Sequence, residues 1–134
     1  MVISDSVKVI GNNAFSGCRS LSSVQLGNSV KSIGWYAFYN CKSLKSIVIP
    51  DSVEEIVAGA FAGCSILEMV LISGGVEEIG YSTFYNCASL QYNVKGGLKY
   101  LGSETNKYLY LVGVSDKNIT TAEIDSNCKF IGLE

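Results

Sequence analysis

Residues 29–51 read SVKSIGWYAFYNCKSLKSIVIPD, and most of this stretch recurs at a fixed spacing elsewhere in the chain. Related segments are SVKVIGNNAFSGCRSL at 6–21, SVEEIVAGAFAGCSIL at 52–67 and GVEEIGYSTFYNCASL at 75–90. Such a period over several units is typical of a repeat protein. Five apolar positions step through the chain at an interval of 23 residues: Val7, Val30, Val53 and Val76; Ile10, Ile33, Ile56 and Ile79; Phe15, Phe38, Phe61 and Phe84; Cys18, Cys41, Cys64 and Cys87; Leu21, Leu44, Leu67 and Leu90.

Each unit combines a short alternating strand, L-x-x-V-x-L, with a compact segment, V-x-x-I-G-x-x-A-F-x-x-C. A single unit exposes its apolar side chains on one side and cannot bury them alone. Successive units are therefore expected to stack and to pair their strands in a parallel sheet. The A-F pair suits a short helical or 3₁₀ turn that places its ring in the core. The pattern predicts an α/β repeat solenoid of about five to six coils.

The repeat pattern changes after Leu90. Residues 103–118 (SETNKYLYLVGVSDKN) replace the A-F-x-x-C segment, and their alternation predicts an extra strand or a hairpin with a turn at 115–118. Residues 119–132 then resume the earlier spacing, with Cys128 at the position of Val7. We expect one solenoid over 1–134, with regular repeats at about 3–95 and an irregular repeat at about 96–132. Because the chain opens and ends within a repeat, we expect it to be a fragment of a longer array.

Composition limits the classes of function. The 134 residues carry 10 basic and 12 acidic side chains, for a net charge of −2, which is unlike a nucleic-acid-binding surface or a polybasic membrane patch. No apolar run is long enough to span a membrane, and the first residues do not form a secretory signal peptide. The chain has no histidine, the commonest general base and metal ligand. We expect no enzyme activity, cofactor, metal site, nucleic-acid binding or membrane insertion.

The cysteine ladder admits three interpretations. Metal binding needs closely spaced ligands, whereas these cysteines lie 23 residues apart and no histidine can complete a site. Disulfides between neighbouring coils are within reach, but parallel stacked side chains do not supply the required dihedral angle without backbone movement. The third interpretation, which we favour, is a small buried side chain with a weak S–H donor.

Two sets of side chains are candidates for partner contact. Trp35 and Tyr36 occupy non-core positions, where such rings can anchor an interface; the interpretation we favour is that each ring lies over a neighbouring coil. The second set comprises outward positions of the alternating strands, where Val48, Met69 and Leu71 form an apolar patch and Gln25 is a polar neighbour. A rimmed apolar patch on a solenoid sheet indicates a binding surface, and the alternative is a strand face partly covered in a longer protein.

The segment IPDSVEEI…AF.GC..L..V.I at residues 49–72 resembles the BspA-like subclass of leucine-rich repeats, whose unit has this length and carries I-G-x-x-A-F. The resemblance covers residues 3–102 well and 119–132 in part, and the insertion at 103–118 departs from it. It implies a right-handed, leucine-rich-repeat-like solenoid with its parallel sheet on the concave face and short helical or 3₁₀ turns on the other side.

The same resemblance implies a role as part of a large cell-surface, adhesin-like protein of bacteria or protists that binds an extracellular or host protein. We expect contact through the concave sheet face, without catalysis. The alternative is a structural spacer that presents another domain and has no ligand of its own. Because each end exposes an unpaired rung and an open core edge, we also expect end-to-end self-association.

Overall fold

The structure is a computed structural model that describes residues 1–132; Leu133 and Glu134 lie outside the described residues. Within the described part the regular secondary structure consists of strands, and no helix is present. The ten strands are β1 (Val9–Ile10), β2 (Ser32–Ile33), β3 (Ser46–Ile49), β4 (Glu55–Ile56), β5 (Met69–Ile72), β6 (Glu78–Ile79), β7 (Asn93–Lys95), β8 (Leu98–Leu101), β9 (Tyr110–Val114) and β10 (Phe130–Ile131).

Four short strands form a parallel sheet in the order β1-β2-β4-β6. Each strand pairs with its repeat equivalent, so that Ile10 lies beside Ile33, Ile33 beside Ile56, and Ile56 beside Ile79. The 23-residue interval of the sequence is therefore the hydrogen-bonding register of this sheet. This pairing confirms the predicted solenoid of stacked coils with parallel strands, but these four strands lie in the compact V-x-x-I segment, for which no strand was predicted.

The longer alternating strands form a second sheet on another side of the coils. β3 and β5 pair in parallel, and Ser46, Ile47, Val48 and Ile49 lie opposite Met69, Val70, Leu71 and Ile72. Isolated parallel bridges continue this side of the solenoid in the neighbouring coils. Val2 pairs with Gln25 in the coils before β3, and Leu71 of β5 pairs with Gly102 after it. The inward side chains of β3 and β5 are buried, and the outward ones are more exposed, as alternation in a strand requires.

The predicted helical or 3₁₀ turns in the A-F segments are wrong. Alternate N–H groups donate to the carbonyl three residues back and close separate four-residue turns. The N–H groups between them donate to the next coil, whereas a helix would use them for its own carbonyl groups. Residues with positive φ recur at two repeat positions: Asn13, Tyr36, Gly59 and Ser82 at the first, and Gly17, Asn40, Gly63 and Asn86 at the second. In the second coil the donations to the next coil run from Tyr36 to Ala58 (3.3 Å), from Phe38 to Ala60 (2.8 Å) and from Asn40 to Ala62 (2.9 Å).

A phenylalanine ladder runs through the core that these sides enclose. Phe15 and Phe38 stack with ring centroids 5.2 Å apart, Phe38 and Phe61 at 5.3 Å, and Phe61 and Phe84 at 5.8 Å. Tyr110 follows Phe84 at 6.2 Å, although it lies outside the regular repeats. The ladder places the repeated Phe position in the core, as the sequence predicts.

The irregular repeat forms a mixed sheet in the order β10-β9-β8-β7. β9 is the extra strand predicted within residues 103–118; it pairs antiparallel with β8 and parallel with β10. The hairpin of β7 and β8 was not predicted from the sequence; it turns at Gly96 and Gly97, both with positive φ. β7 therefore leaves the solenoid at the point where a regular coil would add a third strand to the β3–β5 sheet.

Candidate interaction surface on the β3–β5 sheet

Three outward apolar side chains meet on the β3–β5 sheet, as the alternation of the two strands predicts. Val48 and Leu71 are partners in the parallel register, and Met69 lies two residues before Leu71 on the same face. Val48 is 51% exposed and Met69 46%, while Leu71 is half-buried. The structure thus brings these three candidate residues together in one exposed patch, which we call the β3–β5 patch.

Gln25 lies one coil before Val48 and is exposed, but its strand is not joined to β3 by strand pairing. A cleft of about 350 Å³ separates the two segments; Gln25, Ser46, Val48 and Pro50 are among its lining residues. Pro50 contributes to this gap because proline has no N–H. The equivalent residue one coil later, Ser73, donates its N–H to Ile49 across 3.2 Å. Gln25 therefore borders the β3–β5 patch across a groove.

A second cleft lies on the other edge of the sheet, between β5 and β7, and we call it the β5–β7 cleft. The start of β7 stays close to the sheet, because Gln91 donates its N–H to Glu68 across 2.9 Å. The strand then pairs with β8, and Gly102 reaches β5 instead, accepting from the Ile72 N–H at 2.9 Å. The resulting cleft of about 390 Å³ is lined by Glu68, Met69, Val70, Leu71, Gln91, Tyr92, Asn93 and Leu101.

Sequence reasoning missed the polar residues of the β5–β7 cleft, Glu68, Gln91 and Asn93. They become neighbours of the β3–β5 patch only because the chain departs from the repeat at β7. The Gly96-Gly97 pair between two alternating segments was the signal that could have indicated this hairpin. A regular fifth coil would have covered the site that these residues line.

The structure places Trp35 and Tyr36 apart from the β3–β5 patch. Both lie in the turn segment after β2, where Trp35 contacts Tyr36 with ring centroids 4.6 Å apart and Tyr36 contacts Tyr39 at 5.1 Å. The Tyr36 ring also lies over the next coil, since a Cβ on Gly59 would come within 2.2 Å of it. Trp35 remains 44% exposed. These rings therefore form a separate cluster on the turn-rich side.

The cysteine ladder follows the coil stacking. The thiols of Cys41, Cys64 and Cys87 are buried, and each donates to the carbonyl of a phenylalanine one coil earlier at 3.2 Å. Contact with the Cys41 thiol and burial both raise the pKa of Cys64, which keeps that thiol protonated. Cys18, in the first coil, is exposed instead of buried. All five cysteines are free in the structure.

The ionic contacts lie away from the β3–β5 patch. Lys31 and Glu54 pair at 2.5 Å on adjacent coils, and both side chains are largely exposed. Lys95 and Asp125 pair at 2.5 Å, with the Asp125 side chain almost fully covered. Across residues 1–132 no cluster of three or more metal-ligating side chains forms, and no helix could cross a membrane.

The fold and its pairing register define a parallel β-solenoid built from 23-residue coils. Residues 1–112 match the family described as the BspA type leucine-rich repeat region, with six copies of the repeat. The chain therefore belongs to the BspA-type leucine-rich repeat family, which confirms the resemblance noted in its sequence. Among curated proteins, none shows significant similarity to the chain.

Three bacterial leucine-rich repeat proteins of known structure resemble the chain. One, from Bacteroides ovatus, is 39% identical with a TM-score of 0.60; the match covers 61% of this chain and 21% of that one. A leucine-rich repeat protein from T. pallidum is 27% identical with a TM-score of 0.49, over 65% of this chain and 51% of that one. A leucine-rich cell-surface protein from Faecalibacterium prausnitzii is 22% identical with a TM-score of 0.43, over 84% and 44%. The match to the B. ovatus protein thus spans about a fifth of that protein's length.

Proposed function

We propose that the chain is a non-catalytic protein-interaction module of an adhesin-like cell-surface protein. It binds an extracellular or host protein through the exposed face of the β3–β5 sheet, which the family resemblance puts on the concave side. Membership of the leucine-rich repeat family supports a repeat module that acts through its surface, because the fold is generally non-catalytic. Solenoids of this type commonly use extended concave surfaces for binding.

The exposed β3–β5 patch is the observation that carries the proposal. Val48, Met69 and Leu71 are outward on a sheet whose inward side chains are buried, and clefts flank them on both edges. Clustered exposed apolar side chains with a polar rim mark interaction sites better than scattered ones do. Placing a carboxylate within the patch would leave an uncompensated charge in any desolvated interface.

Binding of the immobilised chain to a panel of purified extracellular-matrix and serum proteins tests the proposal. The Met69→Asp, Leu71→Asp double variant is compared with Val9→Asp, which places a carboxylate at an exposed apolar position on the other sheet. We expect at least one protein to bind the wild type and Val9→Asp, and not the double variant. Val48→Asp provides a second test should the double variant lose its native circular dichroism spectrum.

The spacer interpretation makes the opposite prediction. A spacer would bind no member of the panel, or would bind equally well with and without the patch substitutions. Either result in folded variants would overturn the β3–β5 patch as the binding surface.

A further inference from the structure

The β5–β7 cleft combines an apolar floor with a rim that carries one carboxylate and two amide oxygens that receive no donor. We propose that it binds an arginine side chain of the partner protein, and this inference rests on the proposed function of the adjoining β3–β5 patch. The guanidinium would lie at the rim, and its three methylene groups would lie along the floor. An arginine suits such a site because its planar head carries five donors and no acceptor.

The two amides of the rim are each held by one hydrogen bond from their nitrogen. The Gln91 amide nitrogen donates to the Ser89 carbonyl at 3.0 Å, and the Asn93 amide nitrogen donates to the Lys107 carbonyl at 3.0 Å. Each amide nitrogen keeps one further N–H, and within residues 1–132 neither amide oxygen receives a donor. Together they offer a ligand two oxygen acceptors beside the Glu68 carboxylate.

Glu68 gives the rim its charge. It is exposed, and it is the sole charged residue among those that line the cleft in the described chain. The two ion pairs of residues 1–132 involve other carboxylates, those of Glu54 and Asp125. Lys99 lies over the Tyr92 ring at 5.2 Å and lines the neighbouring cleft, not this one. The negative charge of Glu68 is therefore available to a cation from a partner.

The floor fits the stem of a long cationic side chain. Met69, Val70, Leu71 and Leu101 provide apolar surface, and the cleft volume is about 390 Å³. Long basic side chains gain stability by covering apolar surface with their methylene groups while the charged head stays in contact with water or acceptors. A partner that covers the β3–β5 patch would thus present an arginine to the edge of the same surface.

A blocked tripeptide, acetyl-Gly-Arg-Gly-amide, is the probe for this inference. Its neutral isostere, acetyl-Gly-citrulline-Gly-amide, keeps the shape and removes the charge. Binding is followed by NMR through the Met69 methyl signal, since Met1 is the sole other methionine in the chain, and through the amide signals of Gln91 and Asn93. We expect the arginine peptide at millimolar concentration to shift these signals, and the citrulline peptide to shift them much less.

Glu68→Gln removes the rim charge with little change in shape, and Glu77→Gln is the matched control at an exposed site outside the cleft. We expect Glu68→Gln to weaken the arginine peptide about twofold to fivefold, as for an exposed ion pair, and Glu77→Gln to have no effect. Equal shifts from both peptides, no shift at Met69, or equal affinity in both variants would overturn the inference. These readouts need no natural partner, so the loss of partner binding in the patch variants remains a separate result.

Discussion

At the scale of single residues, the distance between coils decides which side chains are tolerated. Gly74 and Gly75 are neighbours, yet they differ sharply in their surroundings. A Cβ on Gly75 would lie 1.9 Å from the Asp51 carbonyl oxygen, whereas one on Gly74 would meet no atom within 4 Å. Neither residue has a positive φ, so the difference is one of space and not of backbone conformation.

Replacing these two glycines by alanine tests the tightness of coil stacking. Gly75→Ala should lower the free energy of unfolding by about 1–3 kcal/mol, because two coils must separate to admit the methyl group. Gly74→Ala should leave it unchanged or raise it by up to about 1 kcal/mol, since the unfolded chain loses freedom. Urea denaturation followed by circular dichroism measures both. Equal losses in the two variants would contradict the packing seen here.

The turn segments show why residue patterns did not predict local conformation. Tyr36 adopts φ of 50°, a region that residues with a Cβ rarely occupy. At the same repeat position the other coils carry Asn, Gly and Ser, so no single residue type marks the turn. The conformation is stabilised by hydrogen bonds to the next coil, which a single unit does not have. The A-F motif therefore predicted the burial of the ring but not the conformation of the backbone around it.

At the scale of elements, the β7–β8 hairpin is held in place by contacts with the last part of the chain. Lys95 in β7 donates to Asp125 at 2.5 Å, and Asp125 also accepts from the Asn127 N–H at 2.8 Å. The Tyr100 hydroxyl oxygen in β8 accepts the Asp125 N–H at 3.2 Å. Asp125 therefore ties the irregular segment before β10 to the hairpin that forms one wall of the β5–β7 cleft.

This arrangement predicts a pH dependence of stability. The hydrogen bond from Lys95, followed by that from the Asn127 N–H, lowers the pKa of Asp125 below the ordinary value of about 3.9. The unfolded chain then binds more protons than the folded one in acid, so the contribution of Asp125 is present above about pH 4 and is lost as pH falls through the folded pKa. The same pair raises the pKa of Lys95, so its contribution is lost only in strong alkali.

Thermal unfolding between pH 7 and pH 3 measures this effect. We expect wild type to exceed Asp125→Asn in Tm at neutral pH, and the difference to shrink in acid. Glu104→Gln, at an exposed position, should show no such convergence. A difference between wild type and Asp125→Asn that stays constant over this range would contradict the role assigned to the Lys95–Asp125 pair.

At the scale of the whole molecule, the stack has an exposed apolar face at its first coil. Val2 is 73% exposed and Val9 61%, and together with Met1, Ile3 and Phe15 they border a cleft of about 320 Å³. β1 is an edge strand of its sheet. Unpaired strand edges and open apolar surface favour association between copies.

We therefore expect this chain to self-associate end to end at high concentration. Val9→Lys should reduce the association, because a charge on an edge strand opposes pairing. Val114→Lys, at another exposed valine, should not. Sedimentation velocity over a range of concentrations gives the answer. A monodisperse wild-type monomer throughout would refute the expectation.

The sequence alone determined the coil length, the register and the core. The 23-residue period sets the pairing of Ile33 with Ile10 and Ile56, and it places the repeated phenylalanines in a stacked ladder. It also determined that Val48, Met69 and Leu71 share one face, because side chains alternate along strands. These features follow from local periodicity, since each repeat unit specifies the same neighbours.

Only the tertiary structure decided where the repeat is interrupted and what the interruption creates. Strand β7 pairs with β8 instead of β5, which opens the β5–β7 cleft and brings Glu68, Gln91 and Asn93 to one rim. The strands β5 and β8 compete for the main-chain groups of β7. In the core, Tyr110 takes the place of a fifth phenylalanine. The Gly96-Gly97 pair indicates a turn, but packing between distant segments settles which strand β7 pairs with.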